Sequence, residues 1–406
     1  MKIGIIKEGK IPVDHRVPFT PSQIHHLQDL YEGKISFKVA PSPIRCFPDD
    51  AYVKTGAEVT DEMSDCDILM GVKEVQAQEL IPEKTYFFFS HTMKKQVYNR
   101  ELLQEILKKK IRLIDYEALM DEGGQRVVAF GRWAGIVGAY NGLWTYGKKS
   151  GLFDLKRAYT CFDKHELFKE FPKIDLPPIK IVVTGQGKVA SGVLETLEAV
   201  GIKQVGATDF LQKYFDQPVF TQLEMSAYNQ RKSDGGFDLQ EFYDHPELYE
   251  GTFMPYTEVS DLLIAAAYWD PGAPKLFERQ DVQSEDFNIS VIADITCDIE
   301  GSIPTTLRAS EITDPVYDIS RSNFQEVPAF GEQNSISVMA IDNLPCELPR
   351  DSSEDFGKQL SEKVIPELFL PGSKLIKNAT IAENGHLTDK FSYLGDYVNQ
   401  TQTEGL

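Results

Sequence analysis

Ile179-Lys180-Ile181-Val182-Val183-Thr184 runs directly into Gly185-Gln186-Gly187-Lys188-Val189-Ala190-Ser191-Gly192, and the reading of this junction decides the fold. The first six residues have the β-branched, apolar character of a buried strand, and the residues to about position 200 follow as a helix. The result is a Gly-x-Gly-x-x-Ala fingerprint in the strand–turn–helix context that dinucleotide binding requires. Gly185 permits the tight turn, Gly187 lets the backbone approach a pyrophosphate, and Ala190 lets the helix lie close to the strand. Lys188 and Val189 open the helix, whose unpaired N–H groups suit phosphates. The competing reading is a purely structural turn.

The next strand is expected at 203–208, ending at Asp209. A carboxylate there would meet the adenosine ribose hydroxyls and repel a 2′-phosphate, which favours NAD over NADP. Lys213 nearby keeps NADP open, and Asp209 as a simple helix cap is the alternative. Strands at 261–267 and 289–295 continue the series, while the polar region 211–251, most loop-like at 229–236, reads as an insertion. Upstream, the charged segment 162–178 ends in Pro177-Pro178 and reads as a linker.

The first third of the chain has its own βαβ rhythm, with apolar runs at 2–7, 35–40, 67–73, 86–90 and 111–115. Thr20-Pro21 supplies an N-cap and an N1 proline for a helix over 22–31, and 98–110 is a second helical stretch. The small-residue run from Trp133 through Gly135 and Gly138 implies close helix packing as the chain leaves this domain. A strand at 336–341 and a helix at 352–369 are expected to return to it, having no sheet of their own to cover. The fold class is therefore α/β, with two Rossmann-like domains whose largely parallel sheets are separated by a cleft. Residues 1–140 plus 325–406 would form the substrate and catalytic domain, and 141–324 the dinucleotide-binding domain.

Bulk properties agree with this reading. A chain of 406 residues exceeds one ordinary core, and no window approaches the roughly 20 apolar residues that span a bilayer. The formal net charge of −20 argues against a nucleic-acid partner. The five cysteines are odd in number, widely spaced and never in a Cys-x-x-Cys pair, which reads as reduced thiols and no metal site. The opening Met1-Lys2-Ile3-Gly4 lacks a signal-like apolar stretch, so the expected location is cytoplasmic. The oligomeric state is left open, a homo-oligomer included.

Lys73 and His91 follow apolar strands and so stand at carboxyl ends, the edge where ligands bind in open α/β sheets. Either is equally an ordinary surface residue on position alone. Arg16, in His15-Arg16-Val17-Pro18-Phe19-Thr20-Pro21, and Arg126, in Gln125-Arg126-Val127-Val128, are able to grip a carboxylate or to be solvated charges. Asp298 and Asp342 also follow strands, with capping or turn roles as the default.

At these residues the sequence resembles the lysine-forming saccharopine dehydrogenases, most closely the lysine–2-oxoglutarate reductase half of the animal bifunctional enzyme. Gly71-Val72-Lys73-Glu74, Phe88-Phe89-Ser90-His91-Thr92, Arg112-Leu113-Ile114-Asp115-Tyr116-Glu117, Ala293-Asp294-Ile295-Thr296-Cys297-Asp298 and Ile341-Asp342-Asn343-Leu344-Pro345 carry the resemblance. It implies acid–base roles for Lys73 and His91, and a site lined by Arg16, Arg126, Glu74, Glu117 and Asp342. It implies an NAD(P)-dependent oxidoreductase that interconverts saccharopine with lysine and 2-oxoglutarate, and hence a small amino-acid or oxo-acid substrate. Alanine dehydrogenases and the nucleotide-binding subunit of transhydrogenase share the architecture and an aspartate matching Asp298. An alanine-dehydrogenase-like deaminase of a small amino acid is therefore the first alternative, and a non-catalytic dinucleotide-binding regulator the second.

Overall fold

The computed structural model describes residues 1–9 and 11–400. The chain forms two compact units, one of Met1–Phe130 with Pro349–Leu406 and one of Gly131–Leu348. Among the described residues each unit holds an eight-stranded sheet, and two β-branched or aromatic faces buried under helices explain why the strands read as continuous apolar runs.

In the first unit the strands are β1 (Lys2–Ile5), β2 (Ser36–Val39), β3 (Glu58–Val59), β4 (Ile68–Met70), β5 (Thr85–Phe88) and β6 (Arg112–Asp115). All of these pair in parallel. The tail adds β17 (Thr380–Glu383), antiparallel to β6, and β18 (His386–Leu387), giving the order β18-β17-β6-β5-β4-β1-β2-β3. The chain winds outward from β1 through β2 to β3, then resumes on the other side of β1 with β4. The helix Pro21–Leu30 starts where Thr20-Pro21 predicts: the Thr20 hydroxyl accepts the Gln23 N–H at 3.3 Å and the Gln23 side chain accepts the Thr20 N–H at 2.9 Å. This capping box satisfies two otherwise orphaned donors.

The second unit contains β7 (Lys180–Thr184), β8 (Lys203–Gln204), β9 (Val219–Leu223), β12 (Leu262–Ala265), β13 (Val291–Asp294) and β16 (Ser335–Met339), all parallel. β14 (Val316–Ser320) and β15 (Glu326–Val327) close one edge antiparallel, and β10 (Asn229–Arg231) with β11 (Tyr249–Gly251) forms a separate hairpin. The order β15-β14-β16-β13-β12-β7-β9-β8 also reverses direction in mid-sheet, between β7 and β12, although here the chain reaches the edge strand β8 before it inserts β9 beside β7.

Three expectations are corrected. The strand expected at 203–208 stops at Gln204, because residues Ala207–Gln212 are helical and carry Asp209 inside the helix. Region 211–251 is not a wholesale insertion: β9 is the strand paired with β7, and Thr221 and Gln222 hide its apolar pattern. The strand near 336–341 does not return to the first unit but pairs with β13, so the chain re-enters that unit only at Pro349.

The first crossing likewise falls at Phe130 and not at position 140, because Gly131–Ser150 is one unbroken helix packed on the helix Lys188–Val200. A Cβ on Gly135 would lie 1.9 Å from the Val189 carbonyl oxygen, and one on Gly192 would lie 2.0 Å from that of Arg132. Both contacts are with helix backbone, which has no room to yield. Gly192→Ala should therefore lower unfolding stability by about 2 kcal/mol or more. Urea denaturation followed by circular dichroism tests this, and an unchanged midpoint contradicts the packing described.

Candidate active site

In the first unit β1 and β4 lead away from each other, so their carboxyl ends flank the point where strand order reverses, the position at which open α/β sheets bind ligands. β1 delivers Glu8 to this point and β4 delivers Lys73 and Glu74. The Glu8 carboxylate accepts the backbone N–H groups of Val72 at 2.6 Å and Lys73 at 2.8 Å. It thereby fixes the peptide from which the half-buried Lys73 side chain springs. Desolvation, then the neighbouring Asp14 charge, pushes the Glu8 carboxyl up to about 8, against the pull of the two N–H groups and Arg16.

Arg16 is buried, with its guanidinium donating to Asp14 at 3.0 and 2.6 Å and lying 4.2 Å from the centroid of the Phe130 ring. Burial alone would raise the Asp14 carboxyl, but the charges of Arg16 and Lys73 outweigh it and hold Asp14 well below the ordinary carboxylate range. Glu8, Asp14, Arg16 and Lys73 therefore form one electrostatic cluster.

The loop after β5 carries His91, whose backbone is left-handed at φ 52°. Its Nδ1 meets Glu74 Oε1 at 2.6 Å, joining the ends of adjacent strands β4 and β5. The ring stacks beside Phe89 with centroids 6.4 Å apart. Asp115, fully buried at the end of β6, accepts the N–H groups of Ser90 at 2.9 Å and Glu117 at 2.7 Å, which ties the loops after β5 and β6 together. Glu117 Oε1 accepts from Arg126 Nη2 at 2.6 Å. Tyr116, also fully buried, has a hydroxyl without a hydrogen-bond partner and feels the charges of Glu8 and Asp115.

In the second unit the equivalent reversal lies between β7 and β12. Gly185 has φ 102°, and a Cβ there would lie 2.7 Å from the Ala266 carbonyl oxygen, so only glycine fits beside the neighbouring strand end. Gly187 caps the helix Lys188–Val200, and a Cβ on it would meet nothing within 4 Å. That open space faces the end of a helix whose first internal bond is Ser191 N–H to Gly187 carbonyl, leaving the N–H groups of Lys188, Val189 and Ala190 outside the helical ladder. Ala190 is fully buried, as close helix packing requires. The loop thus fits a dinucleotide pyrophosphate.

The acidic partner of that loop is Glu224 in place of Asp209. Asp209 lies beyond the edge strand β8 and pairs with Lys213 at 2.8 Å in its own helix. Glu224 directly follows β9, the strand beside β7, and accepts from Gln186 of the glycine loop at 3.2 Å. Asp298 and Asp342 are exposed in the loops after β13 and β16. These loops are joined by Cys297 Sγ donating to the Ala340 carbonyl at 3.1 Å.

The structure therefore brings Lys73 to the Asp14–Arg16 pair, Glu74 to His91, and Glu117 to Arg126. Glu8, Asp14, Tyr116 and Glu224 were missed in the sequence. Glu8 and Glu224 each follow a strand directly, the same signal that singled out Lys73, but the strand before Glu224 was not recognised.

Residues 4–137 match the model of the alanine dehydrogenase/PNT N-terminal domain. The first unit carries that domain. The chain is 30% identical over 442 aligned positions to the mitochondrial alpha-aminoadipic semialdehyde synthase of Mus musculus, across 94% of this chain and 46% of that one. It thus spans about half the length of the first curated relatives it matches. It is 25% identical to the saccharopine dehydrogenase [NAD(+), L-lysine-forming] of Neurospora crassa, across 86% of both chains. An L-alanine dehydrogenase structure superposes with a TM-score of 0.66 at 18% identity, covering 98% of this chain and 100% of that one. Both sheets therefore belong to the two-domain alanine dehydrogenase fold. No helix among the described residues is long and apolar enough to cross a membrane.

The raised Glu8 carboxyl has a thermodynamic consequence. Between its ordinary value of 4.5 and about 8, Glu8 holds a proton in the folded chain but not in the unfolded one, so its contribution to stability falls as pH rises through that window. Glu8→Gln has no proton to lose and should flatten the fall in thermal midpoint between about pH 5.5 and pH 8. A variant with the wild-type slope would show that Glu8 does not titrate there.

Proposed function

We propose that this chain is a pyridine-nucleotide-dependent oxidoreductase acting on a CH–NH donor, interconverting saccharopine with lysine and 2-oxoglutarate. The observation that carries the reading is the placing of Lys73 and His91 at adjacent strand ends, with the Lys73 backbone N–H donating to Glu8 and His91 paired to Glu74, in a chain similar over 94% of its length to the mouse synthase.

When bound on the Gly185–Lys188 turn, the cofactor supplies a hydride acceptor at its nicotinamide ring. In the oxidative direction the secondary amine of saccharopine must first lose a proton, and Lys73 is the group assigned to take it. Hydrolysis of the resulting imine needs a proton removed from water and one returned to the carbinolamine nitrogen. His91, oriented by Glu74, is assigned to those transfers. Arg126, exposed at the rim and fixed by Glu117, is assigned to a substrate carboxylate. The bidentate face of Arg16 is taken by Asp14, so Arg16 contributes mainly charge beside Lys73. Asp298 and Asp342, in the loops after β13 and β16, are assigned to substrate contacts.

NAD is the proposed cofactor, because the Glu224 carboxylate beside the glycine loop suits ribose hydroxyls and repels a 2′-phosphate. With lysine and 2-oxoglutarate, kcat/KM for NADH should exceed that for NADPH by about tenfold or more, and Glu224→Ser should narrow the gap. A preference for NADPH contradicts this assignment.

Lys73→Met and His91→Gln should each lower kcat by about 100-fold or more while leaving NADH binding intact. Turnover within a few-fold of wild type in both would overturn the roles, and oxidation of NADH with pyruvate and ammonia in place of lysine and 2-oxoglutarate would overturn the substrate.

A further inference from the structure

Asp115 ends β6 and is fully buried, and among the described residues no cation pairs with it. Desolvation raises its carboxyl, against the pull of donors from Ser90 and Glu117. A carboxylate so deeply buried is tolerable only when its oxygens are satisfied by donors, and here the donors come from two different loops. Oδ2 accepts the Ser90 backbone N–H at 2.9 Å and the Ser90 hydroxyl at 2.5 Å, while Oδ1 accepts the Glu117 N–H at 2.7 Å. Strand register sets this up, because Asp115 lies opposite Phe88 of β5, two residues before Ser90.

The Oδ2 side continues around His91. Ser90 has one hydroxyl proton and gives it to Asp115, so in the 2.8 Å contact between the Ser90 and Thr92 hydroxyls it is Thr92 that donates. Ser90 Oγ also accepts the Thr92 backbone N–H at 3.3 Å. The two residues that flank His91 are thereby fixed to each other and to the carboxylate, and both are fully buried. His91 itself takes φ 52°, a conformation that L side chains adopt only where their surroundings impose it. The chain of bonds from Thr92 through Ser90 to Asp115 is what imposes it, and the resulting turn brings Nδ1 to Glu74 at 2.6 Å.

We propose that Asp115 is the positioning residue for His91, holding the turn from Ser90 to Thr92 so that the imidazole meets Glu74, while its other oxygen anchors the turn that carries Glu117. The inference rests on the assignment of His91 to proton transfer in the proposed reaction. It also fixes the residue type. Both oxygens must accept, so an asparagine here would turn its amide N–H groups on the donors of one loop or the other. Asp115 touches no reacting atom, and its effect on the reaction passes through His91.

Kinetics and NMR of the full chain test it. Ser90→Ala removes the hydroxyl bridge and leaves Oδ1 bound to Glu117, so kcat with lysine, 2-oxoglutarate and NADH should fall about tenfold while NADH affinity is unchanged. In a His91→Gln background the same substitution should lower kcat by less than about twofold, because the group it positions is gone. Losses that multiply in the double variant would overturn positioning through His91. Asp115→Asn should lower kcat at least as far as Ser90→Ala, and wild-type turnover in it would overturn the role as well. The ring signal of His91 in proton–carbon NMR, identified by its absence from His91→Gln, gives a readout that needs no turnover. It should move in Ser90→Ala, and a signal that stays in place would contradict the positioning role even if Asp115→Asn does not fold. A wild-type chain that oxidises no NADH with lysine and 2-oxoglutarate would overturn the proposed reaction, and the NMR signal alone would then decide on Asp115.

Discussion

Two parallel strands that lead away from each other at the middle of a sheet leave their carboxyl ends without a crossover between them, and both units of this chain are organised around that constraint. In the first, the divergence of β1 and β4 exposes Glu8 and Lys73 side by side. In the second, the divergence of β7 and β12 sets Gly185 against Ala266 so closely that a side chain is excluded. Functional groups accumulate at these edges because helices cover the sheet faces and the strand ends remain the place where backbone and polar side chains meet a ligand.

The charges at the first edge are arranged to act on one another more than to stabilise the fold. A buried ion pair such as Asp14–Arg16 brings little net stability once desolvation is counted. Its effect is to fix a cation and an anion beside Lys73. Glu8, which meets the same cluster, is shifted upward by desolvation and by Asp14, beside the backbone N–H of Lys73 that it accepts. Positions next to such clusters suit groups that must both take and return protons near neutrality. In a chain of net charge −20, Arg16 and Arg126 are cations each paired to its own carboxylate, Asp14 and Glu117.

Much of this was legible in the sequence. The strand 180–184 with its glycine turn, the capped helix after Thr20 and the strand ends carrying Lys73 and His91 announce themselves by local chemistry: period, turn residues and position. The small residues from Gly135 onward also signalled close packing, now seen against Val189. What was hidden depends on tertiary partners. Val219–Leu223 is a central strand because it lies between β7 and β8, although Thr221 and Gln222 break its apolar run. Residues after Gln204 look like more strand but turn into helix, which carries Asp209 away from a strand end. The strand Ser335–Met339 gives no sign of which sheet it joins, since both sheets accept a short apolar strand. Asp14 and Glu8 gain their meaning only from the pocket they share.

Tracing the hydride is the most direct measurement of the central claim, that this chain forms and cleaves the secondary amine joining lysine to 2-oxoglutarate. With lysine, 2-oxoglutarate and NADH deuterated at C4 on the transferred face, mass spectrometry and NMR should find saccharopine bearing one deuterium on the α-carbon of its glutaryl portion. Consumption of the cofactor without that product, or saccharopine lacking the label, would contradict it.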